Sequence, residues 1–343
     1  MTAMIRDIVR LFVLVGFILG GSSFGLAEVA PGPESLTKLI EGAKKEGGFT
    51  LYHSTSIDDT KLFLERFTRK YPFIKVTTYR ALQEALISRV EMERRAKTNK
   101  WDVMFLNCLF LNDLKNKGVL QKYEASGSKA YTKGFRDNDG FWNGLLINAF
   151  VIGYNTKLVK PADVPKSLMD LLEPKFKGKI AIDAAPYEWL LALEREWGKE
   201  KAWDYIKRLG RQEIYVRRGS SLLAQLLAAG EYPLALPLHS WRLEQMKRAG
   251  ASVDWQSVDP AAANMVGTAI SVTANNPNTA RLFTEFTLSE EGQQAVRDLG
   301  RIPARFDIKP NPARLTEGIR IVPSAPLQPG DIPRVLNEFK ALL

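Results

Sequence analysis

Hydrophobic spacing switches repeatedly along this chain between the period of a helix and that of a strand, and this alternation decides what it can fold into. "PESLTKLIEGAKKEGG" puts Leu36, Leu39, Ile40 and Ala43 on one helical face and stops at Gly47-Gly48. "FTLYHSTS" reads as a strand running into a Ser/Thr loop, and the next helix presents Leu62, Phe63 and Phe67 after a cap at Asp58 or Asp59. "FIKVTTYR" is a strand, 81–97 a helix, "WDVMFLN" a strand, and 109–117 a helix closed by Gly118. Strands separated by helices predict parallel pairing through crossover connections, which is an α/β fold.

After "DGFWNGLLINAFVIGYN" the alternation restarts. "GKIAIDA" is a strand, 186–197 a helix, and "EIYVRR" a strand before "GSSLLAQLLAAG", a short helix with Ser220 or Ser221 as its cap. "PLALPLH" follows as a buried strand, then a helix to Gly250 and the strand "SVDWQSV". "VGTAISVTANN" and one helix over "PNTARLFTEFTLSEEGQQAVRDLG" return to the first style. Two α/β lobes joined by extended segments near 148–154 and 256–266 account for this order. The plainer alternative is one large doubly wound sheet. The 343 residues, 45% of them hydrophobic, are enough for either.

The amino terminus reads as targeting. Arg6 and Arg10 precede the apolar run "LFVLVGFILGG", and "SSFGLA" ends in small residues, so 1–27 is expected to be a cleavable secretory signal delivering a periplasmic protein. The apolar run is shorter than the ~20 residues of a spanning helix. Cys108 is the single cysteine, so no internal disulfide is expected and stability must come from packing. The net charge of +10 is spread along the chain without a nucleic-acid-binding motif, and no nucleic-acid partner is expected.

"VIGYNTKLVKPADVPKSLMDLLEPKFKGKIAID", "NPNTARLFTEFTLSEEGQ" and "RRGSSLLAQLLAAGE" resemble the extracellular solute-binding proteins of ABC importers, especially the ferric-iron-type branch. The resemblance covers essentially the whole chain after the signal. It implies a two-lobed periplasmic binding protein of type II-like architecture, each lobe a mixed, mostly parallel sheet flanked by helices, with two hinge crossings. The expected division is 28–147 with 267–343 as the first lobe, and 148–266, hinge segments included, as the second. The implied partners are a small-molecule solute and an ABC permease in the inner membrane; no cofactor is implied, and a monomer is expected. Ferric-binding members place two adjacent tyrosines after the strand matching "PLALPLH", where this chain has Ser240 and Trp241. A metal-binding acid of some members falls on Asn107. Hard Fe³⁺ favours anionic oxygen ligands, which these residues do not supply.

The cleft of such a fold is lined by strand-end loops and helix N-termini. The residues expected there are Ser54, Thr55, Arg80, Asn107, Tyr187, Arg218, Ser220, His239 and Trp241. Each has a structural reading beside the functional one: Ser220 as a helix cap, Arg218 as a solvated strand end, Arg80 as part of the charged surface of the helix that follows it, Tyr187 as core, His239 as a satisfied buried histidine. Asp183 is a weaker candidate. The set is rich in hydroxyls and arginines and poor in carboxylates, which suits an organic anion of carboxylate, phosphate or phosphonate type. The alternative is a metal carrier using His53, His239 and Asp183, or Fe³⁺ held with a carried anion. A hydrolase lacks support, since no G-x-S-x-G, H-E-x-x-H or phosphate-binding loop occurs. An exported sensory or structural protein is a further class.

Overall fold

Ser35 opens the first helix by accepting the Lys38 N–H, and Gly47 ends it in the left-handed conformation, as the Gly-Gly stop predicts. The computed structural model describes residues 35–131, 134–323 and 330–342; the expected signal segment lies outside the described residues. The first stretch of alternation is α1 (Leu36–Glu46), β1 (Gly48–His53), α2 (Ile57–Lys70), β2 (Lys75–Arg80), α3 (Gln83–Arg95), β3 (Val103–Asn107) and α4 (Cys108–Asn116). A long strand, β4 (Asn143–Asn155), leads to β5 (Ile180–Asp183), α5 (Tyr187–Trp197), α6 (Lys199–Gly210), β6 (Tyr215–Arg217) and α7 (Ser220–Ala229). Then come β7 (Leu234–His239), α8 (Ser240–Arg248), β8 (Val253–Gln256) and β9 (Ala261–Ile270). The chain finishes with α9 (Pro277–Leu288), α10 (Glu290–Asp298), β10 (Ile302–Pro303), β11 (Ile321–Pro323) and α11 (Asp331–Lys340).

The strands hydrogen-bond in the order β2-β1-β3-β9-β4-β7-β5-β6, with β8 and β10 on β4 and β11 on β9. β1 is parallel to β2 and β3, and β5 is parallel to β6 and β7, as crossover helices require. β9 and β4 run antiparallel to their main neighbours, so the sheet is mixed. β4 changes partners along its length: 143–149 pair with β9, and 150–155 pair with β7 and β8. An aromatic nest of Phe49, Phe63, Phe67, Phe105 and Phe283 packs β1 and β3 against α2 and α9, with Phe49 and Phe283 at 4.7 Å. A separate cluster packs Ile180, Ile182, Leu234 and Leu236 under Trp189, Tyr205 and Phe339.

Three expectations are corrected. The helix expected over "PNTARLFTEFTLSEEGQQAVRDLG" is two helices, because Ser289 adopts an extended backbone and its hydroxyl caps α10 through the Gly292 N–H. The cap of α2 is Ser56, accepting from the Asp59 N–H, so Asp58 and Asp59 fall in the first turn. Neither Ser220 nor Ser221 caps α7: the turn before it needs φ of 96° at Gly219, which places Ser220 inside the helix. α6 and α11 are additional to the expected elements.

Candidate functional site

The carboxyl ends of β1, β3 and β7 meet at one cavity of about 330 Å³. These strands lead into α2, α4 and α8, and α3 follows the neighbouring β2, so the N-caps Ser56, Asn107, His239 and Leu82 all line the cavity. Ser56 and Asn107 cap their helices with their own side chains. α3 and α8 have no side-chain cap. Their first-turn N–H groups have no carbonyl partner within the helix, and they carry the positive end of the helix dipole.

The β1 side is internally satisfied. His53 is buried, and its Nδ1 lies 3.0 Å from Thr55 Oγ1 and 3.2 Å from Thr60 Oγ1. Thr60 Oγ1 in turn donates to the Ser56 carbonyl. Burial holds the imidazole down at about 4, and the Arg80 charge adds to the effect, so His53 is neutral.

The β7 side is not satisfied. His239 stacks on Phe150 at 5.1 Å and on Trp241 at 6.4 Å, and burial with the charge of Arg301 holds it at about 4. His239 Nδ1, Ser240 Oγ and Trp241 Nε1 are buried and have no hydrogen-bond partner among the described residues. An orphaned buried polar atom costs about 1–3 kcal/mol, which a ligand that completes it returns.

Arg301 supplies the buried cation of the cavity. It lies 3.0 Å from the centre of the Trp241 ring and donates to Asp59 at 2.8 Å through Nε, with a second bond from the terminal nitrogen. Burial lowers its basicity, and Asp59 opposes that effect.

A buried carboxylate completes the arrangement. Glu188, in the first turn of α5, accepts from the side-chain amides of Asn107 and Asn264. Asn264 Oδ1 takes an N–H of Asn148 at 2.8 Å, and Asn148 Oδ1 is left buried and unpartnered among the described residues. Burial pushes Glu188 up to about 7 against the pull of the two amides, and the charge of Glu84 adds to the rise.

Of the residues expected from sequence, Ser54, Thr55, Asn107, His239 and Trp241 line this cavity. Tyr187 and Ser220 line a second cavity of about 100 Å³, which shares His239 and includes Glu188 and Asp183. Arg80 and Arg218 are exposed and line neither of the two; Arg80 donates to the Thr55 carbonyl at 3.3 Å, beside the first. The metal set of His53, His239 and Asp183 does not form: among the described residues no three His, Cys, Asp or Glu side chains converge on a point. Asp183 instead accepts the Ala185 and Gly219 N–H groups. Sequence reasoning missed Arg301, Glu188, Asn148 and Asn264. Only Glu188 carried a signal, as an acid opening the otherwise apolar "YEWLLAL", and that reads as an ordinary complement to the helix dipole.

Crossover strands ending on a cavity ringed by helix N-termini are the usual place for a ligand in an α/β fold. The sequence model of the bacterial extracellular solute-binding proteins matches residues 100–321, and the chain belongs to that family of binding proteins. A Haemophilus influenzae protein of unassigned function is 27% identical over 190 residues, 52% of this chain, so the match spans about half (53%) of that relative's length. The Fe(3+)-binding periplasmic protein of Serratia marcescens is 21% identical over 80% of this chain and 84% of its own.

Solved structures share the fold over 86% of this chain. They include iron-bound HitA of Pseudomonas aeruginosa (23% identity, 99% of that chain, TM-score 0.71). An ABC-transporter substrate-binding protein of Agrobacterium tumefaciens matches at 18% identity over 94% of its chain, TM-score 0.74. AfuA of Actinobacillus pleuropneumoniae, with fructose-6-phosphate bound, matches at 21% identity over 96% of its chain, TM-score 0.65. The fold is that of the α/β periplasmic binding proteins.

Proposed function

We propose that the protein captures a small organic anion, of carboxylate or phosphate type, and delivers it to an ABC permease in the inner membrane. The observation that carries this is the cavity wall itself. Two helix N-termini without side-chain caps, the buried Arg301 and three unpartnered polar atoms, Asn148 Oδ1, His239 Nδ1 and Trp241 Nε1, border a space that holds no group of metal-ligating side chains among the described residues. Helix N-termini and guanidinium groups favour anions, and the Trp241 and His239 rings supply an apolar wall. Two lobes, 28–147 with 267–343 and 148–266, close on the ligand, with β4 and β9 as the crossing strands. The switch of partners along β4 supports that division. After removal of 1–27 the protein works as a periplasmic monomer.

The second reading is ferric iron, alone or with a carried anion. The names of the relatives favour it, since HitA and the Serratia protein are iron binders whereas AfuA was solved with a sugar phosphate. Against it stand Ser240, Trp241 and Asn107, none of which offers an anionic oxygen. Calorimetry across sugar phosphates, phosphonates, citrate, ferric citrate and ferric ion separates the two. The first reading expects binding of an organic anion with iron chelated away. Binding that requires Fe³⁺ and colours the protein establishes the second.

A further inference from the structure

Glu188 stands at one end of a chain of amides whose other end opens into the cavity. An ionised carboxylate only accepts hydrogen bonds, so Asn107 and Asn264 must both turn their NH₂ groups toward it. Asn107 is fixed twice, because its Oδ1 also takes the Leu109 N–H at the head of α4. Asn264 keeps its oxygen as an acceptor, and Asn148 meets that oxygen with one of its own two N–H groups. The acceptor that remains is Asn148 Oδ1, buried and unpartnered among the described residues, on a side chain that lines the cavity. One carboxylate thereby orients three amides.

We infer that Glu188 is a positioning residue that sets the hydrogen-bond polarity of the cavity, so that Asn148 Oδ1 receives a hydroxyl of the ligand and the solute is a polyhydroxylated anion. This deepens, and rests on, the reading of the cavity as an organic-anion site. A plain phosphate dianion has no donor for Asn148 Oδ1, whereas a sugar phosphate or sugar acid carries both the negative group and the donor. Trp241 Nε1–H, a donor only, offers the opposite polarity across the same space. The titratable groups around Glu188 are Glu84, Tyr187 beside it in sequence, and His239 and Asp183 across the small cavity. None of these is a cation that would hold the carboxylate in place of the amides, because His239 is kept neutral by burial.

Glu188→Gln makes a sharp test. A glutamine must present its own NH₂ to one of the two asparagines, and Asn107 is held by its helix cap. Asn264 therefore has to flip, Asn148 flips to match, and the cavity gains a donor where it had an acceptor. Side-chain amide NMR on the whole protein reads this without any ligand. In the wild type, Asn107 and Asn264 NH₂ signals should titrate together near pH 7 while the Asn148 NH₂ is protected from exchange. In Glu188→Gln the titration should vanish and the Asn148 NH₂ should exchange freely. Absence of the wild-type titration, or an unflipped Asn148 in the variant, overturns the relay.

Binding of fructose 6-phosphate against inorganic phosphate reads the consequence. The wild type should prefer the sugar phosphate by about tenfold or more, and Glu188→Gln should lose that preference. Equal weakening of both probes would assign Glu188 a merely structural role. If neither probe binds the wild type, the assignment of a sugar phosphate to the cavity fails, while the organic-anion reading is decided by the wider calorimetric series and the relay by the amide spectra.

Discussion

The chain has two histidines, and each closes a strand beside the same cavity: His53 is the last residue of β1 and His239 the last of β7. Burial holds both near 4, so neither acidity nor residue type separates them. Their partners do. His53 shares its Nδ1 with two threonine hydroxyls, whereas His239 Nδ1 has no partner among the described residues and shares that condition with neighbouring Trp241 Nε1. A folded chain rarely leaves buried polar atoms unpaired without a reason. On the proposed reading, His53 serves the architecture and His239 the ligand.

Acid treats the two histidines alike and gives the largest effect. A histidine whose folded pKa lies below its unfolded value binds protons more readily when unfolded, so stability falls as pH drops from about 6.5 toward 4. Each site contributes on the order of 3 kcal/mol across that window. Glu188 works in the opposite sense: its folded pKa lies above its unfolded value, so stability declines as pH rises from about 4.5 toward 7. Urea unfolding at a series of pH values should show a maximum between about pH 6 and 7, with the acid limb nearly abolished in His53→Asn, because the remaining His239 contribution is then offset by that of Glu188. A stability curve flat from pH 7 to 4.5 would contradict the burial of both imidazoles.

Arg301→Ala should come next. It strips Asp59 Oδ2 of two N–H donors in a mostly buried setting and uncovers the Trp241 ring, which should cost about 2–3 kcal/mol of stability. It should also weaken anion binding by at least about a hundredfold, read by thermal unfolding and calorimetry together. The histidines then part company. His53→Ala should lower stability by about 1–2 kcal/mol with binding unchanged, while His239→Ala should weaken binding about tenfold with much less effect on the empty protein. The reverse pattern would invert the assignment. Ser289→Ala, remote from the cavity, should cost about 1 kcal/mol through the lost α10 cap and leave binding untouched. Arg218→Ala should have the smallest effect, a change of about twofold or less that disappears at high salt, because the residue is exposed.

Much of the fold was legible because hydrophobic period is a local property. Leu39 and Ala43 on α1, or the run from Leu234 to Leu238 on β7, announce their elements without help from distant residues. Strand direction was less legible. β4 and β9 pair antiparallel with each other across more than a hundred residues, and no local pattern encodes that choice. The break at Ser289 was hidden because helical periodicity continues on both sides of it.

At the site, sequence reasoning found the strand-end residues Ser54, Asn107, His239 and Trp241, since position after a β-strand is itself a signal. It chose Arg80 and Arg218 as cations, but the arginine that the fold carries into the cavity is Arg301, which follows the Gly300 helix stop with nothing local to mark it. The amides of Asn148 and Asn264 were equally silent, because a single asparagine inside a largely apolar strand does not say which way it faces.

The comparison of the two histidines can be tested in one spectrum. Nitrogen-15 labelling reports the imidazole nitrogens of His53 and His239 and the indole N–H of Trp241, recorded before and after adding whichever anion most stabilises the protein. The account expects large shifts at His239 and Trp241 as their unpartnered nitrogens gain hydrogen bonds, with His53 unmoved. Shifts at His53 alone, or an indole N–H that does not respond to a saturating ligand, would contradict it.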